Sequence, residues 1–134
     1  MTRDKVNEWV ERYVAAWRSY AEDAIGDLFT EDASYFFQPW TEAVNGRKAI
    51  VENWMEEQDA PDSWSAEYET YATDGDKATV VGWTHYLGED RRVIDKSYYN
   101  VWLLEFAADD RCKRFTEVYM LVPAEQAKEE LASN

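Results

Sequence analysis

The stretch Ser97-Tyr98-Tyr99-Asn100-Val101-Trp102-Leu103-Leu104-Glu105-Phe106 carries no charge between Lys96 and Glu105 and is dense in aromatic and branched side chains. A short apolar run of this kind reads as a β-strand buried on both faces. Two-residue alternation puts Tyr98, Asn100, Trp102, Leu104 and Phe106 on one face and Tyr99, Val101 and Leu103 on the other. Both faces want cover. One polar group, the Asn100 amide, sits in the middle of an apolar face and must bond to backbone, water or a ligand.

Outward from this strand, period-two signals continue on both sides. Residues 78–87 form the preceding strand, closed by Gly88-Glu89-Asp90, and residues 64–73 form its hairpin partner across the turn Asp74-Gly75-Asp76. Ala107-Ala108-Asp109-Asp110 turns the chain into a last strand, 111–122, which Pro123 ends. Toward the N-terminus the period becomes helical. Val6, Trp9, Val10, Tyr13, Trp17 and Tyr20 make the apolar stripe of a helix over 3–20, with Thr2 as its N-cap and Asp4 in its first turn. A short helix is expected over 21–29 and a short strand over 33–37. A third helix follows Asn45-Gly46, carries Ile50, Val51, Trp54 and Met55, and stops at Asp59-Ala60-Pro61-Asp62. Helices first and then a meander of long strands predict an α+β domain: one curved antiparallel sheet with three N-terminal helices in its concave face.

At 134 residues the chain is one domain, able to bury roughly two thirds of its unfolded surface. Aromatics make up 16%, with seven Trp and nine Tyr, an excess that serves a core, a ligand cavity, or both. A formal net charge of −14 repels phosphate backbones and anionic lipid, so nucleic acid and membrane surfaces are not expected partners. The single Cys112 excludes an internal disulfide and a cysteine-rich metal site. The polar opening from Met1 to Glu8 is no signal peptide, and a cytoplasmic protein is the expectation.

Four stretches carry a family resemblance. They are Arg12-Tyr13-Val14-Ala15-Ala16-Trp17, Ile25-Gly26-Asp27-Leu28-Phe29-Thr30-Glu31-Asp32-Ala33, Gly46-Arg47-Lys48-Ala49-Ile50 and Phe115-Thr116-Glu117-Val118-Tyr119. In this order they resemble the nuclear-transport-factor-2-like superfamily, the cone-shaped, cystatin-like α+β barrel of ketosteroid isomerases and SnoaL-like polyketide cyclases. The resemblance implies a single SnoaL-like domain over 1–134, with its core at about 6–122 and a tail, 124–134, long enough for one weak helix. Ketosteroid isomerases use a helix-one tyrosine, a general-base aspartate after strand one and a protonated aspartic acid on the central strand. Tyr13 matches the tyrosine. The base position falls on Phe37 or Gln38 and the acid position on Asn100, none of which shuttles a proton near neutral pH. Fold alone does not assign function.

Tyr13 and Asn100 are the catalytic candidates, read as two donors converging on one ligand oxygen; the bland alternative for each is an ordinary core hydrogen bond. Trp17, Tyr35, Phe37, Trp54, Tyr98, Trp102, Val118 and Met120 should join them around an apolar pocket. Gly82, inward with Val80, Thr84 and Tyr86, is read as space left for a ligand. His85, the lone histidine, falls with Trp83 on the opposite face, solvated or at an interface, and no metal site is expected. Glu117 is a charge inside an apolar run, with a salt bridge to Arg47 or Arg114 as the expected reason. No cofactor is implied. Two functions stay open: a protein for a small apolar or aromatic molecule, with cyclase-, dehydratase- or isomerase-type chemistry but no identifiable base, or a non-catalytic homodimeric interaction domain joined through Tyr99, Val101, Leu103 and Trp83.

Overall fold

Thr2 lies in extended backbone and its hydroxyl accepts the Lys5 amide at 3.2 Å, capping α1, Arg3–Ser19, in the computed structural model, which describes residues 1–123. The tail read as a weak helix lies outside the described residues. Tyr20, at φ 51°, turns the chain left-handed and ends α1 one residue before the sequence suggests. α2 is only Glu22–Gly26. Past it the Leu28 amide bonds three residues back, to the Ile25 carbonyl at 3.2 Å, and the Leu28 carbonyl accepts from the Trp9 indole at 3.0 Å and the Cys112 amide at 2.9 Å, which joins this point of the chain to the sheet. Phe29, fully buried, instead opens β1, Phe29–Phe36, which starts four residues before the expected strand over 33–37 and ends one residue before it.

The rest follows in order: β2, Val44–Asn45, α3, Arg47–Glu56, and then the strands β3, Trp64–Asp74, β4, Lys77–Leu87, β5, Ile94–Phe106, and β6, Cys112–Val122. β2 was not foreseen; two residues carry no periodicity. The six strands form one sheet in the order β2-β1-β6-β5-β4-β3. β3 to β6 pair antiparallel in sequence, but β1 runs parallel to β6, with Tyr35 opposite Phe115, so the sheet is mixed at that seam.

The core sits between α1 and the inner face of β5. Trp9 is fully buried and meets Phe29, Trp102 and Phe106 edge-on, with ring centroids 5.5 to 6.4 Å apart. Such geometry suits the ring quadrupoles, and each large ring buried adds about 2–3 kcal/mol of transfer energy. The other face of β5 is not covered within the described residues: Leu103 is 47% exposed and Tyr99 38%.

Candidate functional site

Sheet register decides which side chains meet. Across β4, β5 and β6, Gly82, Asn100 and Tyr119 share one rung, and Val80, Trp102 and Glu117 the next, so all six point to the same face. That face, α1, α3 and the segment after α3 enclose a cavity of about 530 Å³. Tyr13, Trp17, Tyr35, Phe37, Trp54, Tyr98, Asn100 and Trp102 all line it, in the positions expected of them.

Three expected residues do not. Val118 and Met120 point to the other face and are 36% and 72% exposed, while their neighbours Glu117 and Tyr119 line the cavity. The reason is that both faces of β6 carry apolar groups, so hydrophobicity alone selects the wrong parity; pairing with Trp102 and Asn100 sets the right one. Gly82 is inward but leaves no space. A Cβ there would lie 2.0 Å from the Glu67 carbonyl oxygen and 2.7 Å from the Tyr68 Cα, so the glycine admits the neighbouring strand, not a ligand.

The polar groups form two sets. In the first, Thr84 Oγ1 donates to Asn100 Oδ1 at 2.8 Å, which obliges Thr84 to accept from the Tyr68 hydroxyl beside it. Asn100 Nδ2 then donates to Glu117 Oε1 at 3.0 Å. In the second, the Tyr13 and Tyr35 hydroxyls share one hydrogen bond of 2.8 Å. Two hydroxyl hydrogens and one bond leave the second hydrogen without a partner among the described residues. Burial raises the pKa of Tyr13, Tyr35 and Tyr68 well above the ordinary tyrosine value, so all three stay protonated donors.

Glu117 is the residue that sequence reasoning misjudged. No salt bridge holds it among the described residues: Arg47 donates to the Phe29 carbonyl at 2.8 and 3.0 Å, and Arg114 pairs with Glu105 at 3.7 Å. Glu117 Oε2 is shielded from solvent, with no hydrogen-bond partner among the described residues. Desolvation pushes its pKa up to about 8, opposed by the Asn100 hydrogen bond and by the Trp102 indole, which lies near without making a hydrogen bond of good geometry. A charge inside an apolar run was the visible signal; the register that aims it at the cavity was not.

Tyr20, Tyr68, Thr84, Tyr86, Lys96 and Tyr119 complete the chemistry of the wall, and Glu56, Glu57 and Asp59 stand among its lining. Asp59 is held there by the Trp17 indole at 3.0 Å, and its amide donates to the Tyr20 hydroxyl at 2.8 Å. His85 lies on the opposite face, as expected, yet it is buried, with Nδ1 2.6 Å from Ser97 Oγ. Cys112 is buried too, its thiol pKa pushed up to about 12, so it is no nucleophile. Among the described residues no group of three His, Cys, Asp or Glu is placed to hold a metal ion, and no helix is long and apolar enough to cross a membrane.

Residues 10–115 match the SnoaL-like domain family over most of the chain. The chain belongs to that family. No curated protein matches the sequence. Among solved structures, the SnoaL-like chain is similar to SalBIII, an epoxide hydrolase/cyclase-like enzyme in pyran ring formation in polyether salinomycin. That likeness has a TM-score of 0.69 and 19% identity, over 90% or nearly so of each partner: 87% of this chain and 92% of that one. A ketosteroid isomerase-like protein from Erwinia carotovora atroseptica aligns with TM-score 0.63 and 18% identity over 90% of this chain and 97% of its own. ActVI-ORFA from Streptomyces coelicolor aligns with TM-score 0.65 and 13% identity over 87% and 95%. At these identities the likeness shows the α+β fold.

Proposed function

We propose that this SnoaL-like domain transfers protons on a flat apolar or aromatic molecule bearing a carbonyl or phenol, with Glu117 as the proton carrier. The single observation behind this reading is the Glu117 carboxyl itself, set inside an aromatic cavity with one oxygen on Asn100, the other unpartnered, and a pKa near 8. General acid–base catalysis works best when the catalytic pKa lies near the working pH. The leftover hydroxyl hydrogen of the Tyr13–Tyr35 pair would hold the ligand oxygen, and Trp17, Trp54 and Tyr98 would stack on its rings. Isomerisation, dehydration and cyclisation all need this pair of tasks, a proton moved at one atom while charge on an oxygen is held.

The test is hydrogen–deuterium exchange at the carbon beside the carbonyl of 2-tetralone, followed by NMR in heavy water. Wild-type protein should accelerate exchange, and Glu117→Gln should cost about a hundredfold, the scale of a lost general base. Equal rates in both proteins would remove Glu117 from the chemistry.

A second reading rests on a separate observation. Tyr99, Leu103, Val118 and Met120 expose apolar surface on the sheet face away from the cavity. That surface favours a homodimer through the open face, and a dimer is compatible with a working pocket.

A further inference from the structure

The charges around the cavity bear on what it admits. Glu56, Glu57, Asp59 and Glu117 are carboxyls in its wall, and Lys96 is the one cationic side chain among its lining residues. α3 ends at Glu56 with no basic residue in its last turn, so the negative end of its dipole adds to the same sign. The rings of the wall already hold a cation in the free protein: the Lys96 ammonium lies 5.4 Å from the Tyr86 ring and 5.8 Å from Tyr98. Deeper in, Glu117 Oε2 is buried and, among the described residues, has no hydrogen bond of good geometry, with the Trp102 indole as the donor nearby. Aromatic faces beside a carboxylate are the combination that recognises ammonium groups.

We infer that the molecule this cavity takes carries a positive charge, a protonated amine or quaternary ammonium on an apolar body, with Glu117 as its counter-ion and Lys96 as the internal cation it displaces. The inference rests on the reading of this cavity as the ligand site. An anionic ligand would meet four carboxyls. A neutral one without an O–H or N–H would leave Glu117 Oε2 as it is. A cation answers both, and it explains why the protein keeps acid at this point without an arginine beside it.

The groups facing Glu117 set how binding depends on pH. They are Tyr13 from α1, Tyr35 from β1, Tyr68 from β3 and Tyr86 from β4, all interacting with it electrostatically, with Asn100 and Trp102 from β5 beside it. The tyrosine pKa values are all raised, so below about pH 9 the carboxyl is the group among these that titrates. A cation therefore binds best above pH 8, and below it binding releases a proton from Glu117.

Calorimetric titration at low salt with benzyltrimethylammonium, 4-phenyl-2-butanone and 3-phenylpropionate tests this. At pH 8.5 the ammonium should bind about tenfold tighter than the ketone, and the carboxylate weakest. At pH 6.5 the ammonium should lose roughly tenfold while the ketone is unchanged. Glu117→Gln should erase both the preference and its pH dependence, and Lys96→Met should strengthen ammonium binding. A ketone that matches the ammonium at both pH values overturns the charge inference and leaves the pocket and its proton transfer intact. Failure of all three probes to bind overturns the inference together with the pocket. An ammonium preference in the wild type, with 2-tetralone exchange unchanged in Glu117→Gln, separates the two the other way: the charge inference stands and the proton transfer falls.

Discussion

A carboxyl group taken out of water keeps its proton unless something offsets the charge, and at Glu117 the Asn100 amide and the nearby Trp102 indole do so only in part. Its pKa rises from the ordinary 4.5 to about 8. The folded-state value lies above the unfolded one, so the stability this group contributes is full below about pH 4.5 and is lost as pH rises through 8. Denaturant unfolding at pH 5.5 and 8.5 should show wild-type protein losing about 2–4 kcal/mol over that range. Glu117→Gln, which cannot titrate, should lose much less; equal losses would mean the carboxyl is solvated. Asn100 belongs to the same argument. Asn100→Leu leaves Thr84 and Glu117 each short of a partner and should cost about 1–3 kcal/mol. It also removes the main influence holding the Glu117 pKa down, so the pH midpoint of exchange should move above 8. A midpoint that stays or falls would show that Asn100 does not govern the carboxyl.

At the scale of elements, β4 and β3 approach closely at one point. Gly82 pairs with Tyr68, and the Tyr68 backbone and ring fill the volume a side chain would need. Gly82→Ala should therefore destabilise by about 2–3 kcal/mol or more in a urea titration, through clash with backbone that cannot swing aside. A cost under about 1 kcal/mol would show that the strand has room to spare. The long elements were legible because periodicity accumulates over eight or more residues: α1, α3 and β3 to β6 lie within one to three residues of where the sequence puts them. β2 and the start of β1 were not. Two residues give no period, and Phe29 joins the sheet by pairing with Cys112, which lies far along the chain.

Across the whole molecule, one sheet face is occupied by helices and the other shows apolar side chains to solvent. Met120, 72% exposed, and Leu103, 47% exposed, stand on that second face with Tyr99 and Val118. Sedimentation equilibrium at micromolar concentration should give a dimer mass, and Leu103→Glu should convert it to monomer by placing a charge in a dry interface. A monomer mass in the wild type, or no change in the variant, would sink the homodimer. High net charge works against that association, so added salt should tighten it.

Helical and two-residue periods and the order of elements were enough to determine the α+β class and most of the aromatic wall, because each depends on neighbours a few residues apart, and the SnoaL-like scaffold was legible as a resemblance carried by four local stretches. Tyr13 and Asn100 could be placed at the cavity from one helix face and one strand parity. Glu117 could not. It faces the cavity only because β6 pairs with β5 in the register that sets it opposite Trp102, and a shift of one residue would have brought in Val118 instead. Its raised pKa depends on walls supplied by α1, β1, β3 and β4 together. Register and burial are made by contacts between distant segments, and only the tertiary structure holds them.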